Sequence, residues 1–180
     1  MTSHSEVEND KIAFLRRQRQ TRSYSTDPVS DESLSNILEV ARWTGSAGNK
    51  QRWKLVVIRD PELIQHLAAV KSDTGWVANA SIAILVLTEG ATAETGRFDA
   101  GRLSERMLLA AQAEGLGAGI IAFGDTASNT AVRELLSVPD GLWIFAAVVI
   151  GHSAQGSSAT GSSRGGRKSL DEIVIRNRFH

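Results

Sequence analysis

The nine residues at 142–150, Leu-Trp-Ile-Phe-Ala-Ala-Val-Val-Ile, contain no charge, no glycine and no proline. So short and apolar a run, rich in β-branched and aromatic side chains, predicts a strand buried on both faces. Residues 82–87, Ile-Ala-Ile-Leu-Val-Leu, read the same way, as do residues 53–59, which are mostly apolar and alternate poorly. A further strand follows the glycines of 115–124, which stop a helix before the apolar Ile120-Ile121-Ala122-Phe123. Between these runs, apolar residues recur at helical spacing over about 7–19, 31–43, 61–70, 98–115 and 130–136. Ser30 stands as an N-cap before Asp31 and Glu32, and Pro61 opens the third helix. Helices that alternate with about four strands and flank them predict one sheet in an α/β layer architecture.

At 180 residues the chain suffices for one domain with a sizeable core, taken as 1–180 with a frayed start at 1–8. The formal net charge is zero, so no global field draws the chain to nucleic acid or to an anionic membrane. Cysteine is absent, which removes disulfides, thiolate nucleophiles and cysteine-held zinc or iron–sulfur clusters. Four scattered histidines, His4, His66, His152 and His180, make no metal constellation. No apolar run approaches the roughly 20 residues of a membrane helix. The polar, acidic start lacks the pattern of a signal peptide, so a cytoplasmic location is the expectation.

Three segments carry the chemistry. Arg16, Arg17, Arg19 and Arg22 crowd seven positions, and guanidinium groups grip a phosphate monoester with paired, charge-assisted hydrogen bonds. A solvated basic face also accounts for such a run. Residues 41–53, Ala-Arg-Trp-Thr-Gly-Ser-Ala-Gly-Asn-Lys-Gln-Arg-Trp, pass from a helix end through small and amide-bearing residues into a strand. Such a loop offers donors to a flat, heteroatom-rich ligand, although Gly, Ser and Asn also fill ordinary turns. The third segment, Gly-Gly-Arg-Lys-Ser-Leu-Asp-Glu-Ile-Val at 165–174, follows a Ser- and Gly-rich stretch over 153–166 that reads as a flexible loop. In the tail, Leu170, Ile173 and Val174 can pack. The glycines of 115–124 are no dinucleotide fingerprint, because they follow a helix and enter a strand, the reverse of the required order.

Together the three segments resemble the FMN-dependent nitroreductase family, and the resemblance covers nearly the whole chain. It implies an α+β fold, a nitroreductase-like sandwich with a central, mostly antiparallel sheet flanked by helices, built as an intertwined homodimer with FMN at the subunit interface. Arg19 and Arg22 match two members of the family's basic motif, while Gln18 and Gln20 stand where an arginine and a serine are usual. Ser46, Asn49 and Gln51 match the loop that crosses from the other subunit to the flavin ring, with Gly45 and Arg52 replacing its prolines. Arg167 matches the phosphate-contacting tail arginine, with Arg164 as an added contact. Ile121, Ala122 and Phe123 match the strand end that lies along the ring. The resemblance implies an oxidoreductase in which NAD(P)H delivers hydride to bound FMN and a small aromatic acceptor, a nitroaromatic, quinone or similar electron-poor ring, is then reduced. The chemistry is the cofactor's, so no catalytic side chain, metal, nucleic acid or membrane is called for. Relatives in deazaflavin maturation or flavin processing, and a non-catalytic flavin-binding module, are the competing readings.

Overall fold

A computed structural model describes residues 4–89, 93–154 and 166–178. Four strands form one sheet in the order β1-β2-β4-β3: β1 Trp53–Ile58, β2 Ile82–Glu89, β3 Gly117–Ala122 and β4 Leu142–Gly151. Every pairing is antiparallel. Around it stand α1 His4–Arg17, α2 Asp31–Arg42, α3 Pro61–Ala69, α4 Ala93–Ala113, α5 Thr126–Leu135 and a single turn, α6 Leu170–Ile173.

Period-two geometry explains why β2 and β4 are apolar throughout. Ala83, Leu85 and Leu87 point into one core, which α3 covers with Ile64 and Leu67 and α5 with Val132. Ile82, Ile84 and Val86 point into the other, covered by Leu103, Met107 and Ala111 of α4 and by Ile37 and Ala41 of α2. The result is the predicted α+β sandwich, helix layers on both faces of one sheet. β1 departs from the expectation of a strand covered on both sides. It is an edge strand in which only Ile58 is buried, because place in the sheet, not local composition, decides how much of a strand is covered.

Local signals set most helix ends. The Ser30 side chain accepts from Ser33 N at 3.0 Å, and Asp60 caps α3 by accepting from Glu62 N at 2.8 Å. Two helices start earlier than the sequence reading placed them. α4 begins at Ala93 rather than near Phe98. α5 begins at Thr126 rather than Thr130, because Asp125 caps it through Ser128 N. α1 runs from His4, inside the stretch expected to fray. The 153–166 segment lies outside the described residues except for Ser153, Ala154 and Gly166.

The free edge of β3 is occupied by the chain entering from α1. Thr21 N donates to Ala118 O at 2.8 Å, and the Gln20 side chain accepts from Ile120 N at 3.2 Å. Farther on, Ser25 N donates to His152 O at 2.9 Å and Ala154 N to Ser23 O at 3.0 Å. Tyr24 pins this segment. Its buried hydroxyl donates to Thr21 O at 2.8 Å, with Val149 O at 3.2 Å, and burial pushes its pKa well above the ordinary value. Gly119 makes the approach possible, since a Cβ there would stand 2.7 Å from Thr21 O and 2.9 Å from the Trp76 ring.

Candidate active site

At the end of β3 the chain turns through Gly124 into α5. The Asp125 carboxylate accepts from Ser128 N at 2.8 Å and Ser128 Oγ at 2.6 Å, bonds that hold its carboxyl below the usual range. Asn129 Nδ2 donates to Ile144 O at 2.9 Å, and Arg133 donates to Val138 O, Pro139 O and Leu142 O at 2.7 to 3.1 Å. These bonds lock the corner where β3, α5 and β4 meet. A bulge then reshapes β4: Val86 pairs with Ala146 and Leu87 with Ile144, so Phe145 is the extra residue. Phe145 and Ala146 thereby both face α4, an instance of a bulge re-aiming a side chain beside a site.

Between this corner and the N-terminal half of α4 lies a cavity of about 560 Å³. Ala100, Gly101, Ile120, Ala122, Phe145 and Ala146 give it walls of small or apolar side chains. Gly96 lets α4 sit this close to the sheet, because a Cβ there would stand 2.6 Å from Thr88 Oγ1 and 2.9 Å from the Phe145 ring. Arg97 and Ser104 line the cavity from α4, and no motif in the sequence marked either of them.

The predicted residues divide into two groups. Ala122 and Phe123 line the cavity, although the Phe123 side chain is buried in the opposite core; Ile121 points to that core and does not line it. Gln20 is bonded to Ile120, a lining residue, and brings the basic run alongside. Arg19 is exposed and donates to Arg16 O at 2.8 Å and Gln18 O at 2.6 Å, while the Arg22 guanidinium lies 5.6 Å from the Trp76 ring centroid. Arg167 is exposed just before α6, and Arg164 lies outside the described residues.

The loop with Ser46, Asn49 and Gln51 forms the second group. Ser46 Oγ accepts from Gln51 N at 2.9 Å, and Gln51 Nε2 donates to Asn49 Oδ1 at 2.9 Å. Gly48, Asn49 and Gln51 all have positive φ, 58°, 53° and 47°. Two non-glycine residues in that region within four positions is the kind of local strain that clusters at ligand-binding loops. Because Trp53 pairs with Thr88 and Thr88 with Trp143, the loop and the cavity share one end of the sheet. The loop enters β1 at one edge, whereas the cavity lies over β4 and β3 toward the other; the two edge strands are three strand spacings, or about 14 Å, apart. α4 stands between the loop and the cavity, with Gly96 and Asp99 lining a smaller cavity of about 100 Å³ on the side of Ala47 and Lys50.

At the root of the loop, Glu39 accepts from Arg42 Nε at 2.7 Å, Arg42 Nη2 at 2.6 Å and Trp43 Nε1 at 2.7 Å. These bonds, that from Arg42 first, pull its pKa from 4.5 down to about 2. A carboxylate with a depressed folded-state pKa adds stability above its ordinary pKa and loses it as pH falls through the folded value. The Glu39 contribution is therefore complete above pH 4.5 and lost toward about 2. A carbon-detected NMR titration is expected to place Glu39 well below the other exposed glutamates, and Arg42→Ala to return it toward them. A Glu39 midpoint in the ordinary range would show the cluster to be open in solution.

Among the described residues no group of three or more His, Cys, Asp or Glu could hold a metal, and no helix is long and apolar enough to cross a membrane. A profile of the nitroreductase family matches residues 15–89 and 68–152. A protein of Archaeoglobus fulgidus that carries the provisional name NADH dehydrogenase/NAD(P)H nitroreductase is 31% identical over 146 residues, 78% of this chain and 84% of its own length. The FMN reductase [NAD(P)H] of Bacillus subtilis is 25% identical over 170 residues, 83% of this chain and 68% of its own. Among solved structures, an FMN-dependent nitroreductase from Clostridium difficile superimposes with a TM-score of 0.81 at 23% identity, covering 93% of this chain and 99% of that one. The chain belongs to the nitroreductase family.

Proposed function

We propose that the chain is an FMN-dependent oxidoreductase that takes hydride from NAD(P)H and reduces nitroaromatics, quinones or similar electron-poor rings. The observation that carries this is the cavity at the end of β3. Among the described residues its lining brings together no acid–base or nucleophile constellation, and its size falls within the ~300–1,000 Å³ of small-molecule sites. Its residues fit FMN. The walls at Ala100, Gly101 and Ala122 leave room for a flat ring, and the hydroxyl of Ser104 is buried without a partner. Arg19 and Arg22 lie on the segment alongside β3 as phosphate ligands, with Arg167 from the tail. Bound FMN supplies two-electron transfer between nicotinamide and acceptor. The protein's own part is to hold the ring and to set donors where negative charge accumulates.

Asn49, Gln51 and Ser46 are assigned to the same flavin, contributed by a second copy. Two features support a homodimer. Within one chain α4 stands between the loop and the cavity, and large apolar side chains are exposed at Ile12, Leu15, Phe98, Leu170 and Ile173. In such a dimer each copy offers its cavity to the other's loop.

The test is the absorption spectrum of the purified protein with FMN, before and after anaerobic NADPH. Bound flavin bands that bleach support the proposal, and a protein that takes up no flavin removes it. Arg22→Ala and Arg167→Ala are each expected to weaken FMN by at least about 1.5 kcal/mol, roughly tenfold, the lower range for a charge-assisted hydrogen bond. Equilibrium titration that finds both variants unchanged would take the phosphate away from these arginines.

A further inference from the structure

On the loop side of α4, away from the large cavity, two buried polar atoms without a partner converge. Thr88 Oγ1 and Asp99 Oδ1 each lack a hydrogen bond, and both residues line the small cavity beside Ala47 and Lys50. Thr88 is 2% exposed. Gly96 keeps its hydroxyl open to the cavity, because a Cβ at 96 would stand 2.6 Å from Thr88 Oγ1. Buried polar atoms are ordinarily paired, so two orphans on one cavity mark a place where a ligand supplies the partner. Lys50, exposed on the same lining, makes no side-chain hydrogen bond or ion pair among the described residues.

The cavity holds about 100 Å³, several times the ~10–15 Å³ that one water needs and well below the ~300–1,000 Å³ of drug-sized sites. A small polar head group fits, and three side chains select it. The Asp99 carboxylate only accepts, the Lys50 ammonium only donates, and the Thr88 hydroxyl does both. A carboxylate ligand would be set against Asp99, and an ammonium against Lys50 and Arg52 on the lining. A ketone brings no donor for Asp99 Oδ1, and an alcohol brings one proton for two orphans. A primary carboxamide has two N–H donors, one for each orphan, and a carbonyl that accepts from Lys50. Its dipole, about 3.5 D as in a peptide unit, then lies along the field between Lys50 and Asp99.

We infer that this second cavity binds a small molecule through a primary carboxamide, its nitrogen held by Asp99 Oδ1 and Thr88 Oγ1 and its oxygen by Lys50. None of these three residues is assigned to the flavin, so the site stands whether or not the large cavity takes FMN.

NMR titration of the ¹⁵N-labelled protein with acetamide, acetate, methylammonium and ethanol tests this, read at the backbone amides of Thr88 and Gly96. Acetamide is expected to shift both signals saturably and to bind about tenfold more tightly than the other three, the effect of one charge-assisted contact. Thr88→Val and Asp99→Leu should each weaken acetamide about tenfold while leaving the urea midpoint unchanged or higher, since an apolar group of similar shape removes an orphan. A merely structural role for either residue would lower that midpoint instead. Lys50→Met, at an exposed position, should reverse the preference in favour of methylammonium. Acetate, methylammonium or ethanol binding as well as acetamide, no saturable shift with acetamide, or a Lys50→Met chain that keeps the wild-type order of ligands would overturn the inference.

Discussion

Gly119→Val is expected to lower stability by about 2 kcal/mol or more and to strip the protein of FMN. The first substituent atom alone would stand 2.7 Å from the Thr21 carbonyl oxygen and 2.9 Å from the Trp76 ring. Thr21 cannot yield without breaking its 2.8 Å bond to Ala118 O, and Trp76 is packed against Tyr24 at 6.2 Å between centroids. The residues that would move are those that seat the basic run beside β3, with Gln20 bonded to Ile120 and Arg22 over Trp76. Backbone displacement there carries the proposed phosphate ligands away from the cavity, so packing and cofactor affinity fall together. Urea denaturation gives the first effect and FMN titration the second. A variant with an unchanged urea midpoint would mean that residues 19–25 do not run against β3. One that loses stability but keeps FMN affinity would place the phosphate elsewhere. Gly119→Ala should show the same effects at smaller amplitude.

What could be read from the sequence followed from how local each signal is. α2 was legible at its start because Ser30, Asp31 and Glu32 announce a cap and Ile37 and Ala41 keep the helical spacing. β2 and β4 were legible because both faces are covered, which leaves no polar alternation to confuse the pattern. The start of α5 was missed because Thr126, Ser128 and Asn129 are poor helix formers, and only the Asp125 cap shows that they begin one. α4 was cut short because Gly96 reads as a breaker, whereas packing against Thr88 and Phe145 requires it within the helix. The tail shows the limit most clearly. Leu170 and Ile173 sit in an apolar pattern, yet they are 72% and 61% exposed. A hydrophobic pattern says that a residue seeks cover but not which copy of the chain supplies it.

The same gap governs the site, and it leads to the second large effect. Among the proposed flavin ligands, the arginines beside β3 and the loop that enters β1 are held by one chain at opposite edges of its sheet, with α4 between the loop and the cavity. If two copies complete each other's sites, a loop-dead chain and an arginine-dead chain should rescue one another. Take one chain with Asn49→Ala and Gln51→Ala, and another with Arg22→Ala and Arg167→Ala. Each alone should have little FMN and little NADPH oxidation. Unfolded together and refolded at equal concentration, they form heterodimers in half of the dimers. Every heterodimer has one site with both segments intact and one with neither. About one quarter of all sites should therefore recover wild-type FMN affinity, a gain that closed two-fold pairing alone produces. Refolding the chains separately and mixing them afterwards is the control, because intertwined copies would exchange slowly. If the co-refolded mixture binds no more FMN than its parents, the loop serves the chain that carries it, and the two-copy site is wrong even if the protein is a dimer. The quarter yield also separates assembly from stability. A mutation that merely weakens folding would lower flavin content in both parents without restoring it in the mixture.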